Sequence, residues 1–171
     1  MNDGAGDFIG YVTVDRSDSS YSAADQFDAI LVGAATSTHQ FIGAWNNYAG
    51  PTRDIIGWGW AAQGDVVCSE GANSGEHCQL TVGGTTTDYL NDVVRFASAS
   101  TGIAGCHGDS GAAVVMRGNT TARVYGMLTG GWDVTYCYDS LHTTPGGPDG
   151  WFIPIGNVLS QFAGSTVTSV P

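Results

Sequence analysis

Glycine interrupts this chain too often for long helices to form. It stands at 26 of 171 positions, and lysine, a good helix former, is absent. In a helix interior each glycine costs about 1 kcal/mol relative to alanine. Between the glycines lie short apolar and β-branched runs. Residues 8–14, 27–32, 55–60, 65–68, 78–82, 93–96, 112–116 and 123–129 read as strands. Residues 138–150 read as a Pro/Gly loop, and residues 155–162, after Pro154, read as the one helix. Closely spaced short strands with almost no helix predict an all-β sandwich or barrel. Hydrophobic residues make up 42% of the chain, enough to bury the core of one domain or of two small ones sharing an interface.

Charge removes several classes of function. The basic residues are all arginines (Arg16, Arg53, Arg95, Arg117, Arg123), set against 16 acidic residues for a net charge of −11. Nucleic-acid binding needs a basic stripe to displace counterions, so no nucleic-acid partner is expected. A basic amphipathic membrane helix is excluded on the same ground. No apolar run approaches the roughly 20 residues of a membrane span. The four cysteines contain no Cys-x-x-Cys, so no structural zinc is expected, and no acidic loop has calcium-ligand spacing. No metal and no cofactor are predicted. Two disulfides in an oxidising compartment fit the composition, with three pairings open. The segment Met1-Asn2-Asp3-Gly4-Ala5-Gly6-Asp7 has neither the basic nor the apolar region of a signal peptide. Either the cysteines are free in a cytoplasmic protein, or the natural start lies elsewhere. The sequon Asn119-Thr120-Thr121 reads as a hairpin turn.

One short constellation carries chemistry. Cys106-His107-Gly108-Asp109-Ser110-Gly111 stands directly before the strand that includes Ala112-Ala113-Val114-Val115. Glycines on both sides of a serine let the backbone turn tightly and present its amides, which can stabilise an oxyanion beside the hydroxyl. Asp109 reads as a structural residue of that turn.

This motif resembles the nucleophile turn of the trypsin/chymotrypsin-like serine proteases. The rest of the chain is similar to their bacterial secreted branch, the streptogrisin and α-lytic proteases. Cys68 and Cys78, with nine residues between them, resemble that branch's short disulfide loop. Gly126-Met127-Leu128-Thr129-Gly130-Gly131, followed by Cys137, resembles its substrate-binding strand and the partner of the cysteine before the motif. Pro154-Ile155 and the helix match its C-terminal end. Phe27-Asp28-Ala29-Ile30-Leu31-Val32 matches the strand with the triad aspartate, 82 positions before Ser110. The resemblance implies two antiparallel Greek-key β-barrels with a short C-terminal helix. Residues 1–52 would form an incomplete N-terminal barrel and residues 53–171 the C-terminal one. It implies Ser110 as nucleophile, the amides of Gly108 and Ser110 as oxyanion hole, and Asp28 as the carboxylate orienting an imidazole. Thr129, Gly130 and Gly131 would border the substrate main chain, Ala104 would floor the primary pocket, and His107 would stand on its rim. An alanine at the floor implies an apolar or medium-sized P1 residue. The implied bridges are Cys68–Cys78 and Cys106–Cys137. The implied protein is an extracellular monomer acting on peptides or proteins.

The sequence departs from the family in one respect. The family places its catalytic histidine upstream of the aspartate, usually in a Thr-Ala-x-His-Cys turn, and residues 1–27 contain no histidine. His39, His77, His107 and His142 all follow Asp28 and read as solvated or structural. The simplest account is a sequence that begins just after the histidine turn, as the missing signal peptide also suggests. Such a chain is expected to be marginally stable and essentially inactive. The alternatives are a pseudoprotease that keeps a peptide groove without the base, and an unrelated Gly-rich all-β binding protein with a chance Gly-Asp-Ser-Gly.

Overall fold

The computed structural model describes residues 10–15, 30–34, 41–42, 53–71, 75–86, 93–98, 104–106, 109–132, 149–160, 162 and 164–167. They are all-β apart from one short helix. In chain order the strands are β1 (Gly10–Asp15), β2 (Ile30–Ala34), β3 (Phe41–Ile42), β4 (Arg53–Trp58) and β5 (Val66–Gly71). Then come β6 (Gly75–Thr86), β7 (Val93–Ser98), β8 (Ala113–Arg117), β9 (Thr121–Trp132) and β10 (Asp149–Pro154), followed by helix α1 (Ile155–Ser160).

Six strands close on themselves. Their order around the ring is β5-β6-β7-β10-β9-β8, with β8 returning to pair with β5. Every neighbouring pair in the ring is antiparallel. Strands β5, β6 and β7 follow one another, and a long connection brings β8 back beside β5, which is the Greek-key pattern. Closure removes the open sheet edges that would otherwise invite aggregation. Outside the ring β4 runs parallel to the start of β9, and β3 pairs with β4. Strands β1 and β2 form a separate antiparallel pair.

Alternation along the strands makes two layers of core. Val67, Leu80, Val82, Phe96, Ala104, Val114, Tyr125, Leu128 and Phe152 fill the ring. Their immediate neighbours point outwards and are covered in turn. Ile55 of β4 packs with Cys68, Val115 and Ala122. Ile155 and Val158 of α1 pack with Ile153 and Phe162. A strand buried on both faces loses the polar half of its alternation, which is why the sequence shows near-continuous apolar runs here. Among the described residues no helix is long and apolar enough to cross a membrane.

The expected strand positions recur with shifted ends, and two strands are additional: the two-residue β3, in a stretch with no expected strand, and β10. Residues 149 and 150, assigned to the loop 138–150, begin strand β10, which continues through Trp151-Phe152-Ile153, a run with no expected element. Three apolar residues between Gly150 and Pro154 are too short a run to show a period; pairing with both β7 and β9 makes them a strand. The expected short loop between Cys68 and Cys78 is a tight hairpin, β5 against β6, with those two cysteines bonded. A register shift beside them leaves Gln79 at φ +65°.

Candidate active site

The Greek-key crossing from β7 to β8 carries Ser110. Asp109 anchors its turn from below and is 1% exposed. The Asp109 amide donates to the Cys106 carbonyl at 3.0 Å, and the Cys106 amide donates to Asp109 Oδ2 at 2.8 Å. The Ala112 amide donates to the Asp109 carbonyl at 2.9 Å. Two bonds then fasten the turn to β9: Gly111 N–H to Leu128 O at 2.7 Å, and Leu128 N–H to Ala112 O at 2.8 Å. Gly111 sits at φ +87°, a left-handed conformation that costs other L-residues about 1–2 kcal/mol. The outcome is an exposed Ser110 on a buried, internally bonded base.

The preceding segment is packed just as closely. A Cβ on Gly105 would lie 2.7 Å from Leu128 Cδ2, so glycine lets residues 104–106 lie against β9 without displacing that side chain. Ala104 is fully buried in the ring, and its carbonyl accepts a 2.7 Å hydrogen bond from the Ser69 hydroxyl of β5. Cys106 is disulfide-bonded.

Strand β9 passes this turn and continues beyond it. Its last pairing with β8 joins Ala113 to Met127. Farther on, Gly130 and Gly131 pair on one side with Trp151 and Gly150 of β10. Among the described residues, no strand pairs with the opposite edge of Thr129, Gly130 and Gly131. That edge begins beside Ser110, since Gly111 bonds Leu128. An extended peptide added there would bring a carbonyl towards the hydroxyl by strand addition.

Several expected site residues lie outside the described residues: Asp28, His107, Gly108 and Cys137, and with them His39 and His142. His77 is described on β6, opposite Ser69 in the register. The described portion therefore brings together Ala104, Ser110, Thr129, Gly130 and Gly131.

Sequence reasoning missed a charged cluster on the far side of β5. Arg53 and Glu70, 2% and 6% exposed, stand 3.5 Å apart. Arg53 also donates to Glu76 at 2.7 and 3.4 Å, and Arg117 pairs with Glu76 as well. Burial raises the Glu70 carboxyl above its ordinary value of 4.5, and the nearby Arg53 and Arg117 only partly oppose it. Nothing local marked the cluster: Arg53 and Arg117 fall just outside the expected strands 55–60 and 112–116. Ligand atoms of Cys68, Glu76 and Cys78 lie within 4.8 Å of one another. The two sulfurs are bonded to each other, so this group offers a metal one carboxylate and no thiolate.

Comparison with solved structures now decides the architecture. The chain superposes on Cellulomonas bogoriensis chymotrypsin with a TM-score of 0.57 at 24% identity, covering 82% of this chain and 68% of that one. Thermobifida fusca protease A gives 0.57 at 24% identity, covering 82% and 67%. A glutamic acid-specific serine protease, described as using a histidine triad in substrate binding, gives 0.54 at 21% identity, covering 81% and 65%. The fold is chymotrypsin-like. No protein-family model matches the sequence, and no curated protein matches it. The chain spans about two thirds of the length of these chymotrypsin-like structures. At such identities the likeness establishes the chymotrypsin-like fold; residue roles rest on the geometry of the chain itself.

Proposed function

We propose that the protein is a serine endopeptidase with Ser110 as its nucleophile. The observation that carries this reading is an exposed serine on a left-handed turn beside an edge of β9 that no described strand pairs. In this reading a peptide lies along Thr129, Gly130 and Gly131. The Ser110 oxygen attacks its carbonyl while an imidazole takes the hydroxyl proton. The amides of Ser110 and Gly108 hold the oxyanion. The proton passes to the leaving amine, and water then releases the acyl group from Ser110. Asp28 orients the imidazole. Residues 53–171 form the barrel that carries the nucleophile, and Ala104 at the pocket floor favours apolar P1 side chains. The disulfides and the solved relatives fit work outside the cell, on peptide or protein substrates.

A second reading is a peptide-binding pseudoprotease, which keeps the β9 edge without a catalytic base. A fluorophosphonate probe separates the two. It is applied to this chain and to the chain lengthened by its upstream coding sequence. Labelling at Ser110 in the lengthened chain alone supports the peptidase and an upstream base. Labelling of the present chain moves the base to His39, His77, His107 or His142. Folded protein that never labels removes the peptidase reading and leaves peptide binding.

A further inference from the structure

The hydroxyl of Ser69 is a polar group in an apolar place. On β5, Val67 and Ser69 turn towards the ring interior, while Cys68 and Glu70 turn to the outer layer. Ser69 is fully buried, where an apolar side chain would fill the same space without a hydroxyl to satisfy. Its hydroxyl donates instead to the carbonyl of Ala104, 35 residues away, at 2.7 Å.

That carbonyl lies at the head of the turn carrying Ser110. From Ala104 the restraint passes to Cys106 and through its two hydrogen bonds to Asp109, the residue before Ser110. The segment has no room to shift towards β9, because Leu128 already touches the space beside Gly105. Loss of the Ser69 bond therefore removes the restraint that β5 places on this segment.

We propose that Ser69 is a positioning residue: its hydroxyl fixes the Ala104 carbonyl and thereby the place of the Ser110 oxygen relative to the β9 edge. The effect on reactivity rests on Ser110 being the nucleophile; the anchoring of the turn does not. A misplacement of about 1 Å can lower the rate of a positioned reaction by up to about a hundredfold, so a tenfold loss is a conservative expectation.

The test compares the wild-type chain with Ser69→Ala, Ser69→Cys and Ser69→Thr, below the melting temperature of each. Hydrogen exchange is read at the Cys106 amide, with the Val115 amide as internal reference. Ser69→Ala and Ser69→Cys are expected to speed exchange at Cys106 about tenfold more than at Val115, and Ser69→Thr to restore it. Cysteine keeps the volume and weakens the donor, so it separates the lost bond from a lost atom. Fluorophosphonate labelling, in whichever chain form labels, is expected to lose about tenfold in its maximal rate with half-saturation unchanged. Wild-type exchange at Cys106 in both loss variants overturns the proposal, as does a loosened turn that labels at the full rate. If wild-type protein labels in neither form, the nucleophile reading fails, and the exchange data alone decide whether Ser69 anchors the turn.

Discussion

Glu70→Gln is expected to stabilise the protein at neutral pH and to change little in acid. Both Glu70 oxygens are buried without a hydrogen bond. The nearest guanidinium, Arg53, lies 3.5 Å away and is already engaged by Glu76. Glu76 is also the cross-strand neighbour of Glu70 and takes the direct contacts of both Arg53 and Arg117. Burial raises the Glu70 pKa, and the arginines reduce that rise without cancelling it. The folded protein thus holds this proton more tightly than the unfolded chain does. Its contribution to stability is complete below the ordinary value of 4.5 and is lost as the pH rises through the higher folded value. Glutamine resembles the protonated form at every pH, and its amide can donate to Glu76. A buried acceptor without a partner costs about 1–3 kcal/mol, so a gain of about 1–2 kcal/mol is expected at pH 8. In a chain of this length that raises Tm by roughly 2–8 °C. Thermal unfolding of both proteins at pH 4, 6 and 8 provides the check. Curves that coincide at pH 4 and separate with rising pH are expected. A variant less stable at pH 8, or an offset equal at every pH, would refute the reasoning, because attraction to Arg53 would then outweigh burial.

Two further substitutions probe the same framework. Glu76→Gln removes the main partner of Arg53 and a partner of Arg117, leaving a nearly inaccessible guanidinium with Glu70 alone; a loss of about 2–3 kcal/mol in urea unfolding at pH 7 is expected, below the usual cost of breaking a buried pair because Glu70 remains. Gly111→Ala meets no atom within 4 Å of the new Cβ, so its cost is the left-handed backbone alone, about 1–2 kcal/mol. Its fluorophosphonate labelling, in the form that labels, is expected to fall by more than its folded fraction, since the strain re-aims the serine turn.

The legible parts of this chain were those where one residue type has one use. Runs such as Ala113-Val114-Val115 and Val124-Tyr125 belong in strands, and they lie in β8 and β9. Gly-Asp-Ser-Gly marked the serine turn because glycine at φ +87° and a buried aspartate have few other purposes. The expected pairing of Cys68 with Cys78 rested on resemblance, and those two cysteines are bonded. Strand β10 was hidden, since its identity comes from β7 and β9 rather than from its own three apolar residues. Ser69 and Glu70 were hidden for a different reason. Polar residues between two cysteines look like solvated loop, but the ring interior buries Ser69 and the layer outside β5 buries Glu70. The edge of β9 had no local signal either, because an unpaired edge is a property of its neighbours.

That edge follows from unequal strand lengths. Strand β9 has 12 residues and β8 has five, and their pairing ends at Ala113 and Met127. Past that point β9 keeps β10 on one side, which holds it extended through Trp132. The chain entering β8 must meanwhile leave the sheet to make its crossing from β7, and it does so at Gly111, where a left-handed turn redirects it. The residue before that turn faces outwards, while the second side of Thr129, Gly130 and Gly131 is left open among the described strands. A longer β8 would pair this edge and fold the serine into the sheet. A shorter β9 would leave the serine exposed with nothing beside it to hold a peptide. The same length difference thus accounts for both halves of the candidate site, the accessible hydroxyl and the adjoining strand edge.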